Sequence, residues 1–292
     1  MPIKHLVLSG GGPTALKYVG TLMQLEQDDV WDSNNLESIY GTSAGGMLGV
    51  VLCCKHDWNT ITDYFVKRPW GDAYQIKPED IFNMYHKKGI INQTFIDIMF
   101  NPLFGAKNIP MDITMKGLYE LSGIDLHLFT LELNAFEMCD ISHKTHPDIP
   151  VLTAVHMTSA IPVLFSPVCL GGKCYVDGGI MNNYPLNYCL KDHPEVDDIL
   201  SFKNIYNNVY SSIDNESNII DVIVLLCSRL LKHVHLTASS SITIPNQINQ
   251  PSDTLSADYF HQTLFSEPFR RGLVEEGIKT AKEFIQTLVK IG

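Results

Sequence analysis

A serine between two glycines is the feature of this sequence that most directly suggests chemistry. Gly41, Ser43 and Gly45 form a Gly-x-Ser-x-Gly pattern between a strand-like run and an apolar, helix-like run. A nucleophilic serine must project from a sharp turn, where flanking glycines avoid collision with the adjacent strand and helix. The following helix would direct its first amides, beginning with Ala44, toward a developing oxyanion. A glycine-rich turn with a serine N-cap is the alternative.

A second group of glycines follows the first predicted strand. Because Gly10, Gly11 and Gly12 have no side chains, their backbone amides could converge on an oxyanion. Because Pro13 has no amide hydrogen, the donors would be chiefly Gly11 and Gly12. The pattern Gly10-x-Gly12-x-x-Ala15 also fits a relaxed dinucleotide fingerprint, but the next strand does not end in the acidic residue that binds a ribose. A helix entry without function is the third interpretation.

An aspartate followed by two glycines ends a later strand-like run. These residues are Asp177, Gly178 and Gly179. The glycines leave room for another backbone or a ligand to approach the carboxylate. Asp-Gly is also a common turn dipeptide, so an ordinary turn is the alternative interpretation.

Alternating strands and helices are needed to position these motifs. Ile3–Leu8 and Leu36–Tyr40 predict buried strands that end in glycine turns, and helices are predicted from Pro13 and over Met47–Cys54. This alternation favours an α/β fold with a mainly parallel sheet covered by helices. Further strands are predicted at Leu126–Leu133, Ala135–Ile141, Val163–Leu170, Lys173–Asp177 and Ile199–Ile205.

The other segments give coarser expectations. Residues 59–123 are mostly helical in pattern, and we expect them to form an insertion or cap within a single domain, 1–292. Gly171-Gly172 predicts a hairpin turn. The pattern also predicts a helix, an irregular polar segment and a closing helix, at Asn218–Leu231, Thr237–Asp258 and Phe269–Ile291.

Composition narrows the classes of function. The chain has 292 residues, of which 45% are hydrophobic and 18% charged, as in an ordinary globular protein. Its net charge of −11 argues against nucleic-acid binding and against long-range attraction to anionic lipid. Seven cysteines without a CxxC spacing predict reduced thiols, and no signal peptide or spanning segment is expected. We therefore expect a cytoplasmic protein.

Together, the three motifs resemble those of the patatin-like phospholipase family. That family opens with a strand and a glycine-rich oxyanion loop, as in Ser9–Gly20, and carries its nucleophile in Gly-x-Ser-x-Gly, as at Ser43. It completes a Ser–Asp dyad with the aspartate of an Asp-Gly-Gly motif, as at Asp177. Residues Thr158–Val168 and Asn182–Pro185 resemble the stretches before and after that aspartate.

The resemblance implies a three-layer α/β/α fold and hydrolysis of carboxylic esters in phospholipids or other acyl-ester lipids, without a metal or cofactor. Ser43 would attack the ester, Asp177 would accept its proton directly, and an acyl-enzyme would form. Contact with a membrane surface is a further expectation. One departure concerns Thr14-Ala15, which stands where the family has Arg or Lys and then Gly, and Lys17 is a nearby cation.

Three alternatives remain open. An α/β-hydrolase triad would use a downstream histidine such as His193, His233 or His261, although the serine follows only the second predicted strand. The chain could instead be a weakly active lipid-binding member of the fold. Large apolar side chains between Phe95 and Met111 either pack in the core or, if exposed, contact lipid.

Overall fold

A mainly parallel sheet lies at the centre of the molecule. The computed structural model describes residues 3–73, 78–206, 213–217, 222–223, 225–226, 229–230, 242–252 and 257–291. The strands in the described part are β1 His5–Leu8, β2 Ser38–Thr42, β3 Gly89–Ile91, β4 Asp125–Glu132, β5 Glu137–Ile141, β6 Val163–Phe165, β7 Val168–Leu170, β8 Lys173–Asp177, β9 Ile199–Tyr206 and β10 Gln247–Ser252.

Helices surround this sheet. In the described ranges they are α1 Ala15–Gln27, α2 Ala44–Cys53, α3 Trp58–Lys67, α4 Trp70–Ala73, α5 Pro78–Lys87, α6 Gln93–Ala106, α7 Met115–Ser122, α8 Val151–Ser159, α9 Leu186–Asp192, α10 Ala257–Phe265 and α11 Glu267–Ile291. The strand order is β10–β9–β1–β2–β4–β8–β7, with β5 also paired to β4. Strands β10, β9, β1, β2 and β4 are parallel, whereas β5, β8 and β7 add antiparallel pairs at one side. The predicted α/β class is confirmed.

Both faces of the sheet are buried. On β1, Leu6 and Leu8 face a large core that also contains side chains of α1, α2, α6 and α8. Val7 and, on β2, Tyr40 face a smaller core together with Leu186 of α9. Alternate side chains of one strand therefore enter opposite cores, as expected for a sheet between two helical layers.

Two strands meet end to end along β4. Thr42, the last residue of β2, pairs with Phe129, and Asp177, the last residue of β8, pairs with the next residue, Thr130. Strand β5 overlaps both β2 and β8 along β4, so β2 and β8 must lie on the same side of it. The register of β4 therefore brings the carboxyl ends of two oppositely directed strands together.

The segment 59–123 is mainly helical, as its pattern predicts, and contributes α3 to α7. It also contains β3, which pairs in parallel with β6 in a separate small sheet. Ile96, Phe100, Leu103 and Phe104 of α6 are buried in the large core. These side chains therefore pack in the interior and do not form a lipid-facing surface. That the segment acts as a cap stays a prediction.

Three expectations from the sequence need correction or fall outside the described residues. Residues 247–252 form an edge strand and not part of an irregular segment. The sequence did not indicate this strand, because two of its buried positions are the polar residues Gln250 and Ser252, which interrupt the alternation of apolar and polar residues. The predicted strand Val163–Leu170 is two strands, since residues 166–167 separate β6 from β7. Most of the predicted helix Asn218–Leu231 lies outside the described residues.

The prediction of reduced cysteines is wrong for one pair. The Gly171-Gly172 turn joins β7 and β8 in a hairpin whose register places Cys169 directly opposite Cys174, and these two residues form a disulfide. An odd cysteine count says nothing about such a local pairing, which depends on the hairpin register. Cys53, Cys54, Cys139 and Cys189 are free.

Helix α11 crosses α1 at very short range, which holds in place the helix that follows the glycine loop. A Cβ added to Gly277 would lie 1.9 Å from the Lys17 carbonyl oxygen, and one added to Gly20 would lie 2.0 Å from the Val274 carbonyl oxygen. Both distances are far inside van der Waals contact. The crossing therefore requires glycine on both helices.

Adding one methyl group at this crossing should destabilise the protein. We expect Gly277→Ala to lower the free energy of unfolding by about 3 kcal/mol, because two backbones must separate. Gly272→Ala is the matched control in α11, since a Cβ there meets nothing within 4 Å; it should raise stability by about 0.5–1 kcal/mol. Urea unfolding of both variants measures the difference. Equal midpoints would contradict this account of the crossing.

Candidate active site

Ser43 occupies the sharp turn between β2 and α2. Its backbone has φ 53° and ψ −128°, a conformation that costs a non-glycine residue about 1–3 kcal/mol and persists only where its neighbours enforce it. The Ser43 N–H donates to Thr158 Oγ1 at 2.9 Å, and that hydroxyl donates to the Phe129 carbonyl at 2.5 Å. The turn is thus tied to both α8 and β4.

The flanking glycines lie where the backbone is most crowded. A Cβ on Gly41 would lie 2.6 Å from the Cα of Gly46, and one on Gly45 would lie 2.4 Å from the Leu8 carbonyl oxygen. Side chains at these two positions would push α2 away from β2 and β1. The Gly-x-Ser-x-Gly spacing therefore follows from the close approach of three backbone segments.

Asp177 lies at the end of β8, opposite this turn. Its Oδ1 accepts the Gly179 N–H at 2.7 Å, and its carboxylate and Ser43 line the same small pocket and interact there. A Cβ on Gly178 would lie 2.4 Å from the Phe129 carbonyl oxygen, so the residue after Asp177 must be small for β8 to end beside β4. The fold thus brings Ser43 and Asp177, 134 positions apart in sequence, into one pocket.

Burial changes the acidity of this carboxyl group. Only 3% of Asp177 is exposed. Burial raises its pKa from 3.8 to about 6, although the hydrogen bonds from Ser43 and Gly179 act in the opposite direction. A carboxylate with a pKa near neutrality is a better general base than an ordinary surface aspartate, and it is still mostly ionised at pH 7.

The glycine loop lies directly over the serine. A Cβ on Gly10 would come within 2.8 Å of the Ser43 Cβ. The Gly10 N–H donates to the Asn183 carbonyl at 3.2 Å and so serves the shape of the loop. Gly11 and Gly12 line the pocket in front of Ser43. Ala44 begins α2, where a first-turn amide has no acceptor within the helix.

A small pocket opens at these residues. Its walls are formed by the loop, the serine, the aspartate and a few neutral side chains: Gly10, Gly11, Gly12, Ser43, Ile161, Asp177, Gly179, Asn183 and Tyr206. Asp177 is the one carboxylate in that lining. The described part of the chain contains no group of three or more His, Cys, Asp or Glu residues that could hold a metal ion.

Four pocket or support residues were not assigned a role from the sequence. Thr158 holds the serine turn, Asn183 and Asn204 contact the glycine loop, and Tyr206 lines the pocket. Thr158 and Asn183 fall in stretches that resemble the family, so the pattern marked them without indicating what they bond. Asn204 and Tyr206 lie on β9 in an ordinary strand pattern, which carries no signal of a site.

The loop has no cation in place of the family's basic residue. Thr14 is buried, and its Oγ1 has no hydrogen-bond partner. Lys17 is not among the residues that line the pocket, and its Nζ forms an ion pair with Glu276 at 2.7 Å and donates to the Pro251 carbonyl at 3.0 Å. Among the described residues, no lysine or arginine lines the pocket.

The candidate triad histidines lie elsewhere or are not described. His193 stacks on His5 with ring centroids 3.7 Å apart, at the amino end of β1, whereas Ser43 lies at the carboxyl end of the sheet. His261 is exposed on α10, and its ring contacts that of Phe265 in a tilted arrangement with centroids 4.6 Å apart. His233 lies outside the described residues. Among the described residues, no histidine lines the pocket that contains Ser43 and Asp177.

The fold and this site define a class of protein that sequence comparison also identifies. The family model for patatin-like phospholipase matches residues 6–190. The chain therefore belongs to the patatin-like phospholipase family.

Related proteins come from viruses and bacteria. The probable lipid hydrolase 463L of Invertebrate iridescent virus 6 is 23% identical over 65% of this chain, and the match spans 64% of that protein, less than two thirds. The uncharacterized protein R571 of Acanthamoeba polyphaga mimivirus is 24% identical over 98% of this chain and 95% of its own length. The crystal structure of VipD from Legionella pneumophila shares the fold, with a TM-score of 0.59 and 19% identity; the match covers 98% of this chain and 67% of VipD.

In the described part of the chain, no helix combines the length and apolar character needed to cross a bilayer.

The buried carboxyl group should cost stability at neutral pH. Because the folded pKa of Asp177 is about 6 and its ordinary value is 3.8, the stability present below pH 3.8 is lost as pH rises through about 6. Asp177→Asn removes this loss, so it should become more stable than wild type by roughly 3 kcal/mol above pH 7, with little difference near pH 4.

Thermal unfolding of wild type and Asp177→Asn between about pH 4 and pH 8 measures this effect. Asp112→Asn, at an exposed position, controls for the loss of one negative charge. A stability gain for Asp177→Asn that is the same at every pH would contradict a raised pKa.

Proposed function

We propose that this member of the patatin-like phospholipase family is a lipid acyl hydrolase of the phospholipase A type. The observation that carries the proposal is that Ser43, on a strained turn, and the buried carboxylate of Asp177 line the same small pocket and interact there. The lipid hydrolase name of a viral relative is consistent with it. The substrates are phospholipids or other lipids that contain a carboxylic ester.

The first step is attack of Ser43 Oγ on the ester carbonyl carbon. Asp177 accepts the hydroxyl proton as the new C–O bond forms, and the carbonyl oxygen becomes an oxyanion. The amides of Gly11 and Gly12, with the first amide of α2 at Ala44, stabilise that charge; one such donor is typically worth about 3–4 kcal/mol. Collapse of the intermediate expels the alcohol, which takes the proton from Asp177, and leaves an acyl-serine.

Water completes the reaction. Asp177 accepts a proton from the water as its oxygen attacks the acyl-serine carbonyl, and the same amides stabilise the second oxyanion. The fatty acid leaves, and Ser43 regains its proton from Asp177. The raised pKa of Asp177 suits it to both directions of proton transfer, because the carboxyl group must be ionised to accept and protonated to donate.

A fluorophosphonate probe, which labels activated serines, tests this dyad. Wild type should be labelled at Ser43, with a rate that falls as pH falls through about 6, because protonated Asp177 cannot act as a base. Ser43→Ala should abolish labelling, and Asp177→Asn should reduce it by at least about 100-fold.

Histidine variants provide the matched controls. His193→Gln and His261→Gln should be labelled like wild type and should hydrolyse a short-chain ester at the wild-type rate. Loss of labelling in one of them, with labelling retained in Asp177→Asn, would favour a Ser–Asp–His triad. A folded wild type that is neither labelled nor active with lipid or detergent present would identify a lipid-binding member without catalysis.

We further propose that an apolar rim beside the pocket contacts the lipid surface. The rim consists of Leu133 and Phe136 in the β4–β5 turn and Leu170 in the β7–β8 hairpin, which are 47%, 57% and 52% exposed. The two turns are adjacent, because the Leu133 N–H donates to the Cys174 carbonyl at 2.7 Å. Strand β8 runs from this rim to Asp177, a distance of roughly 13 Å for four residues.

The rim is held rigid by the buried carboxylate of Glu132. This group accepts hydrogen bonds from the backbone N–H groups of Asn134, Ala135 and Cys174 at 3.1, 2.6 and 3.3 Å. A fixed apolar edge loses little conformational entropy on entering a lipid surface. Because the chain carries a net charge of −11, we expect attachment to neutral phospholipid through apolar contact.

Co-sedimentation with phosphatidylcholine vesicles tests the rim. The variant Leu133→Ser/Phe136→Ser/Leu170→Ser should lose vesicle binding but retain hydrolysis of a soluble short-chain ester, since the pocket is unchanged. The control is Phe82→Ser/Tyr85→Ser on α5, whose side chains are 84% and 86% exposed; it should bind like wild type. Binding that depends on the α5 pair and not on the rim would show that another surface makes the contact.

A further inference from the structure

The carbonyl oxygen of Gly10 accepts two side-chain amide hydrogen bonds. Asn183 Nδ2 donates to it at 2.9 Å and Asn204 Nδ2 at 2.5 Å. The Gly10 N–H also donates to the Asn183 carbonyl at 3.2 Å. Both asparagines are buried, at 7% and 1% exposure. Two buried side chains are thus committed to one glycine residue in the loop above Ser43.

The direction of this carbonyl determines the direction of the next amide. A trans peptide is planar, so the Gly10 C=O and the Gly11 N–H point in opposite directions, and the described backbone contains no cis peptide. Because the carbonyl points at the two asparagines, the Gly11 N–H points away from them. Gly11 lines the pocket beside Ser43.

We infer that Asn183 and Asn204 are positioning residues that aim the Gly11 N–H at the oxyanion. The inference rests on the proposed function, because the oxyanion belongs to the acyl transfer at Ser43. A glycine peptide has little conformational preference of its own. Without the asparagines, the Gly10–Gly11 peptide could rotate and turn its carbonyl oxygen toward the developing negative charge.

Both asparagines turn the NH₂ group of the side chain toward the loop. A carbonyl oxygen can only accept, so the group facing Gly10 must be the side-chain amide nitrogen. Asn204 Oδ1 then accepts the Tyr18 hydroxyl at 2.6 Å, and burial raises the pKa of Tyr18, which keeps that donor protonated. Asn183 Nδ2 lies 3.4 Å from the Tyr206 hydroxyl.

The two hydrogen bonds also polarise the peptide. Donors on the Gly10 carbonyl draw electron density toward its oxygen, which makes the Gly11 N–H a stronger donor in a buried site. The interaction strengthens as charge develops on the substrate oxygen, so it favours the transition state over bound substrate. The asparagines should therefore affect kcat more than KM.

Asn204→Leu and Asn183→Leu test this inference, because leucine has a similar volume and no donor. Each should lower kcat for a soluble ester by about 10- to 100-fold with KM little changed. The second substrate is the matching thionoester, in which C=S replaces C=O, since sulfur is a weak acceptor that draws little benefit from the amides. The wild-type preference for the ester should shrink in both variants, and the pH midpoint near 6 set by Asp177 should remain.

Asn246→Leu is the matched control, because Asn246 is a buried asparagine whose Nδ2 donates to the Asp197 carbonyl at 2.9 Å, at the start of β9 and away from the loop. It should keep both the ester rate and the ester preference. If either loop variant fails to fold, the other carries the test.

Two outcomes would overturn the inference: wild-type kcat in a folded loop variant, or an equal loss for ester and thionoester, which would indicate a structural role alone. A wild type that hydrolyses neither substrate and is not labelled by fluorophosphonate would instead overturn the proposed function, and the inference with it.

Discussion

Neighbouring residues of β4, Phe129 and Thr130, pair with the last residues of β2 and β8, and the site depends on this register. A parallel and an antiparallel neighbour end at the same point, so Ser43 and Asp177 approach from opposite directions. The Phe129 carbonyl also accepts the Thr158 hydroxyl that holds the serine turn. A shift of one residue along β4 would separate the pair by roughly 3.3 Å and reverse the faces on which the side chains lie.

The pocket contains a strained serine and a buried carboxylate, and no described lysine or arginine lines it. Positive charge beside Asp177 would favour its ionised form and lower its pKa, which would weaken it as a base. Lys17 is paired with Glu276, Thr14 is uncharged, and no described lysine or arginine lines the pocket. The environment of Asp177 is therefore set mainly by desolvation and by neutral hydrogen-bond donors.

Local patterns in the sequence predict the parts of this molecule that depend on local geometry. The first two strand–turn–helix units, the glycine turns and the closing helix were each predicted from short segments and are present. Strand β10 was missed because Gln250 hydrogen-bonds inside the protein, with Thr21 and Thr280, so that a polar residue faces inward.

Other features depend on partners that are distant in the sequence. The disulfide needed the hairpin register, and Asn204 needed the position of β9 beside β1. The roles proposed for Ser43 and Asp177 were predicted from a resemblance to a family. The spacing of the motifs by itself was also compatible with ordinary turns.

The sequence separation of the contacting groups has a consequence for biosynthesis. Gly10 and Asn204 are 194 residues apart, and Ser43 and Asp177 are 134 apart, so the site consists of long-range contacts. Such contacts carry a large loop-closure entropy and depend on the assembled sheet. A nascent chain that has emerged only as far as α8 contains the serine turn but neither Asp177 nor the two asparagines that bond to the Gly10 carbonyl. The proposed hydrolase activity would therefore begin only once the sheet is nearly whole.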